Sequence, residues 1–123
     1  MKLNLKTRHE GDVVIIQCQG RIVYRDEAAA LAQLAGRNLG NNGKLVLDLS
    51  DVSCIDSAGI GELVLLHTLA QSKNADLKCA SPSPFVRRLL DLTRLNSFLE
   101  IHPSLEEALT VAHVESETVC ADC

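Results

Sequence analysis

Dense apolar runs at Val13 to Cys18, Lys44 to Leu49 and Leu77 to Ala80 are each followed by a segment whose apolar residues recur at helical spacing. Runs of that density suit strands covered on both faces, because a strand with one wetted face alternates apolar and polar residues instead. Parallel neighbours can be joined only by a crossover, and a helix is the usual one. The alternation therefore points to an α/β fold with a mostly parallel sheet flanked by about four helices.

The ends of each segment carry their own signals. Leu3 and Leu5 alternate with polar neighbours and lead into the turn His9-Glu10-Gly11-Asp12, which predicts a short antiparallel first strand at an edge. Tyr24, Ala28, Leu31, Ala35 and Leu39 fall at helical spacing, and Gly40-Asn41-Asn42-Gly43 supplies the stop. A second helix is expected from Ser57 to about Lys73. Ser83-Pro84 reads as an N-cap followed by proline at the first helical position, and a short last strand is expected from Phe98 to Ile101. Ser104-Leu105-Glu106-Glu107 reads as a capping box that opens a final helix to about Val114. One domain is expected over residues 1–114, followed by a flexible tail over 115–123, where apolar periodicity is lost.

Composition removes several function classes. The chain of 123 residues carries a formal net charge of −4, against the clustered Lys and Arg that nucleic-acid backbones demand. Its aromatic residues are one Tyr and two Phe, too few to stack bases or flat ligands. No apolar run approaches the ~20 residues that span a bilayer, and the opening MKLNLK lacks a charged segment followed by an apolar one, so a cytoplasmic protein without a transmembrane segment is expected. Cys18, Cys54 and Cys79 lie in apolar runs, as small hydrophobes do in a reducing compartment. The tail pair Cys120 and Cys123 has metal spacing, yet zinc usually takes four ligands and only His113 lies upstream in reach, so neither a metal nor a cofactor is expected.

The residues with most chemical promise lie at the end of the second dense run, where the strand closes on Asp56-Ser57 and a helix starts at once. A phosphate on a hydroxyl there would meet the unpaired N–H groups and positive end of the helix. Gly59 and Gly61 have no Cβ, which would let another backbone approach the first helical turn. Taken alone, Ser57 also reads as an ordinary N-cap with turn glycines after it. A nucleophile elbow is a further reading of the same turn, but it needs Gly-x-Ser-x-Gly and position 55 is isoleucine; His102 is the one candidate base, and nothing places it beside Ser57. Elsewhere, Gly40 to Lys44 resembles a phosphate loop but opens a strand, the reverse of a P-loop. His67 reads as a partly buried structural histidine, and Arg87, Arg88 and Arg94 as a solvated helix face.

The stretch from Leu47 to Gly61, LDLSDVSCIDSAGIG, closely resembles the signature of STAS-domain anti-sigma factor antagonists. Gln19-Gly20-Arg21-Ile22, Cys79-Ala80-Ser81-Pro82 with Val86-Arg87-Arg88-Leu89, and Ser104 to Leu109 resemble the same family in order and spacing. The resemblance implies a single STAS-type domain with Ser57 as the residue phosphorylated by an anti-sigma factor serine kinase. It further implies that the unphosphorylated protein sequesters that kinase, that a phosphatase of the PP2C type resets it, and that the chain is substrate and binder, not enzyme. Asp56, Ser57, Ala58, Gly59, Gly61, Arg21, Val23 and Tyr24 would form the partner surface. Many members read Gly-Glu-Leu-Asp where this chain has Gly20-Arg21-Ile22-Val23, so that surface would differ in charge. The alternatives are a STAS interaction subunit of another assembly, such as a membrane transport system, without phosphorylation, and a small serine hydrolase.

Overall fold

The structure is a computed structural model that describes residues 3–24 and 26–121, with side-chain surroundings up to His113. In chain order the elements are β1 (Asn4–Glu10), β2 (Val13–Ile22), α1 (Asp26–Asn38), β3 (Lys44–Ile55), α2 (Ser57–Ser72), β4 (Asp76–Ala80), α3 (Pro84–Leu92), a 3₁₀ turn (Leu95–Ser97), β5 (Glu100–His102) and α4 (Leu105–Ala121). The strands form one sheet in the order β1-β2-β3-β4-β5. β1 is antiparallel to β2, and every other pair is parallel. The expected α/β class, antiparallel edge and four helices are all present.

Because the parallel strands are laid down in one direction and each crossover has the same hand, α1, α2 and α3 share one face of the sheet. Their buried residues, Leu31 and Ala35, Leu63, Leu66 and Ala70, and Val86 and Leu90, meet Ile16, Cys18, Leu45, Leu47, Leu49 and Cys79 in the main core. The alternate strand residues Val13, Ile15, Val46 and Ala80 point the other way and are covered by Ala108 and Ala112 of α4. The strand residues thus split by parity between the two layers, as a two-residue side-chain repeat requires.

Several sequence expectations shift in detail. Tyr24 does not join the apolar face of α1: it precedes that helix and is 66% exposed. β2 and β3 run well past their apolar cores, to Ile22 and Ile55, because each satisfies the other's backbone groups beyond the end of β4. β5 begins at Glu100, not Phe98, which stays exposed with its ring 5.1 Å from that of His67. Helical backbone continues past Val114 to Ala121, since once a helix is nucleated each further residue adds a bond without needing an apolar face. The Ser83 cap is as read, its hydroxyl accepting from the Val86 N–H. Only half of the capping box forms: the Ser104 hydroxyl accepts from the Glu107 N–H at 3.0 Å, while the Glu107 carboxylate turns to His102. The side chains of Cys120 and Cys123 lie outside the described residues.

Candidate functional site

Beyond Asp48, the last residue of β3 paired with β4, the strand keeps only β2 as a neighbour and projects to the carboxyl edge of the sheet. The pairing there ends with Arg21 opposite Cys54 and Ile22 opposite Ile55. Gly20 makes this possible: it takes φ 121°, open to glycine but strained for other residues, and a register shift follows at once between Gly20 and Arg21. The β2–α1 connection is thereby brought against the β3–α2 turn.

Asp56 fastens the two together. It caps α2 with one carboxylate oxygen, Oδ1, which accepts from the Gly59 N–H at 3.0 Å. The other oxygen, Oδ2, accepts from the Tyr24 N–H across the gap at 2.9 Å, and the Asp56 N–H donates to the Ile22 carbonyl at 3.3 Å. The Gly59 bond, and after it the Tyr24 bond, hold the carboxyl below its usual range, so it is ionised at neutral pH. The N-cap is therefore Asp56 and not Ser57, which is the first residue of the helix, with its side chain exposed. Capping is decided by backbone angle: the cap must be extended, as Asp56 is at φ −109° and ψ −174°. Asp56→Ala should accordingly lower the melting temperature, and Asp56→Asn, an equally good cap that has one carbonyl oxygen for two donors, should lose less. Ser57→Ala should stay within about 0.5 kcal/mol of the parent, as for a surface side chain outside any cap. Thermal and urea denaturation of the three variants would reveal a capping role for Ser57 if it lost as much as Asp56→Ala.

The two glycines have separate reasons. Gly59 is buried, and a Cβ built on it would overlap the Ile22 carbonyl oxygen and come within 2.7 Å of Ile55 Cγ1. Its missing side chain serves the chain's own β2–α2 packing. Gly61 meets nothing within 4 Å and faces solvent. The exposed rim thus consists of Arg21, Tyr24, Ser57 and Gly61, with Val23 and Ala58 half-buried among them. Four residues beyond Gly61 on the same face of α2, Leu65 is 60% exposed. Sequence reading passed over it, although α2 carries apolar residues around its whole circumference, a pattern typical of a helix covered on all sides.

His102 belongs elsewhere. Its Nδ1 lies 2.9 Å from Glu107 and its Nε2 2.7 Å from Glu100, on the sheet face covered by α4. Ser57 opens a helix of the opposite layer, so the ring is not positioned as a base for it. Among the described residues, no group of His, Cys, Asp or Glu side chains is arranged to hold a metal, and no helix is long and apolar enough to cross a membrane.

Comparison with known proteins places this geometry. The profile of the STAS domain matches residues 4–108. The anti-sigma F factor antagonist of Paenibacillus polymyxa is 25% identical over 117 residues, covering 94% of this chain and 100% of its own. A STAS-domain containing protein of Pseudomonas aeruginosa is 30% identical over 95 residues, covering 75% of this chain and 90% of its own. Among solved structures, the anti-sigma factor antagonist from Mycobacterium paratuberculosis superposes with a TM-score of 0.78 at 25% identity, over 89% of this chain and 93% of that one.

Proposed function

The chain belongs to the STAS domain family, and from that membership we propose that it is an anti-sigma factor antagonist whose binding is switched by phosphorylation of Ser57. The observation that carries the reading is the division of tasks at the turn: Asp56 holds the helix cap, which leaves the exposed Ser57 hydroxyl available for chemistry. An anti-sigma factor serine kinase would transfer the γ-phosphoryl group of ATP to Ser57 Oγ, the hydroxyl proton being lost and ADP leaving. A PP2C-type phosphatase would return the hydroxyl by hydrolysis. In the unphosphorylated state the rim of Arg21, Val23, Tyr24, Asp56, Ser57, Ala58 and Gly61 would hold the kinase and so free its sigma factor, the chain serving as substrate and binder.

The rim supports such binding on physical grounds. Tyr24 offers a large, exposed ring tied at its backbone to the switch turn, the kind of rigid anchor that concentrates binding energy. Arg21 adds a cation on the strand beside it. The test is to recover the partner by co-purification from the native host, incubate it with this protein and ATP, and measure intact mass. The expected result is one added phosphoryl group on the parent and none on Ser57→Ala. A partner that binds but never phosphorylates would move the assignment to a STAS interaction subunit that works without the switch.

A further inference from the structure

Opposite the switch layer, five charged or titratable side chains form a continuous chain from β4 through β5 to α4. Lys78 is 1% exposed, a burial rarely tolerated by lysine without partners. Its Nζ lies 2.7 Å from Asp76 and 3.0 Å from Glu100. Glu100 also meets His102 Nε2, and His102 Nδ1 meets Glu107 in the first turn of α4. His102 is itself 9% exposed.

A carboxylate stands at hydrogen-bond distance from each ring nitrogen, and a carboxylate can only accept. Both nitrogens donate only in the imidazolium form, so the doubly bonded arrangement requires the charged ring. Neutral imidazole would turn a lone pair toward one of the two oxygens. The charge balance agrees: from β4 come Asp76 and Lys78, from β5 Glu100, and from α4 Glu107, three acids against one lysine. Burial alone would lower the His102 pKa, but the hydrogen bonds to Glu107 and Glu100 outweigh it and hold the group above its ordinary 6.5.

The seat of α4 explains why such a contact would matter. On its side the helix buries Ala108 and Ala112 against Val13, Ile15, Val46 and Ala80, while its larger Leu105 and Leu109 pack there only partly buried, so the seat leaves part of its apolar surface in water. Farther along, Lys44 Nζ donates to the Ala112 carbonyl at 2.8 Å and lies 3.6 Å from Asp12.

We propose that His102 is a proton-dependent clasp that docks α4 on the sheet, so that withdrawal of one proton loosens this helix while the layer of α1, α2 and α3 stays in place. The sign follows from linkage. A histidine whose docked pKa is raised contributes its full stabilisation below about 6.5, its value when the helix is released, and loses it as pH rises through the docked pKa. Between those limits the opening equilibrium of α4 should grow up to ~10-fold per pH unit, the limit for one proton, and level off above. Opening would uncover Val13, Ile15, Val46 and Ala80, a surface separate from the Ser57 rim.

The test is made on the full chain and needs no partner. NMR titration of the histidine ring protons should place His102 above 6.5, and amide exchange of Ala108 to Ala112, corrected for intrinsic rates, should show α4 opening more at pH 8.5 than at pH 6. His102→Gln should open to the alkaline extent at both values and lose the pH dependence. Should that variant fail to fold, Glu107→Gln removes only the α4 arm and is expected to shift the His102 titration downward and weaken the dependence. A His102 titration at or below 6.5, or α4 exchange with the same pH dependence in parent and variants, would overturn the clasp.

Discussion

Gly59→Ala is expected to destabilise the domain by about 1–3 kcal/mol, the usual range for forcing extra volume into a packed site. The added methyl would meet the Ile22 carbonyl oxygen and Ile55 Cγ1, and the first of these is backbone, which cannot rotate aside. Relief requires α2 to withdraw from β2, which also strains the bond from the Asp56 N–H to Ile22 and the reach of Asp56 to Tyr24. This loss arises although alanine is the better helix former by about 1 kcal/mol. Gly61→Ala supplies the control, with open space around its Cβ, so the same change should stabilise the fold by about 0.5–1 kcal/mol. Urea denaturation of the two variants should therefore give opposite signs. A Gly59→Ala protein as stable as the parent would show that the packing between α2 and the end of β2 is looser than described. Gly61→Ala doubles as a probe of the partner: if a bound chain approaches the first turn of α2 closely, affinity should fall while stability rises.

Phosphorylation of Ser57 is expected to weaken partner binding roughly a hundredfold, equivalent to about 2.7 kcal/mol. The phosphate adds a charge of about −1.5 to −2 at the first position of α2, where the helix dipole favours it by roughly 0.3–2 kcal/mol. The phosphorylated domain should consequently melt no earlier than the parent. The effect must fall on the rim instead. Three solvated oxygens would stand beside the ionised Asp56 carboxylate, between the half-buried Ala58 and the exposed Gly61, on the surface proposed to meet the partner in the unmodified state. Ser57→Asp should reproduce part of the loss, with one charge and less bulk. Calorimetry of partner binding with parent, Ser57→Asp and phosphorylated protein, alongside thermal melts, checks both halves. Equal affinities in all three, or a phosphorylated form that melts much earlier, would remove the surface-switch mechanism.

How far the site could be read in advance differs residue by residue. Ser57 is marked by the change of period at Asp56-Ser57 and by the Asp-Ser-Ala-Gly resemblance, both local in sequence. Its identity as cap was misread because Asp56 and Ser57 both belong to the residues that cap helices, and only the backbone angles separate extended Asp56 from helical Ser57. The role of Gly59 was equally hidden: an absent side chain is visible in any sequence, but what fills the space is a carbonyl from Ile22, thirty-seven positions earlier. His102 carried a weak signal, since a histidine before proline reads as a turn. Its partners come from its own strand two residues back and from the following helix, and the sharing of Glu100 with buried Lys78 depends on strand register.

The sequence by itself determined the class of fold, because hydrophobic period is a local property: dense apolar runs demanded strands covered twice, helical spacing demanded the helices between them, and the Ser83-Pro84 cap set the start of α3. Through the resemblance it also marked Ser57 as the candidate phosphoryl acceptor at the carboxyl edge. The tertiary structure alone decided which side chains act on one another there. Asp56 gains its second task only when Tyr24 arrives across the turn, Gly59 is needed only where α2 crosses the end of β2, and His102 becomes a bridge only when α4 folds back over β5. These are contacts between different elements, fixed by register, by crossover hand and by the fold-back of α4, and the local hydrophobic period does not reveal them even where, as at His102, the partners are near in sequence.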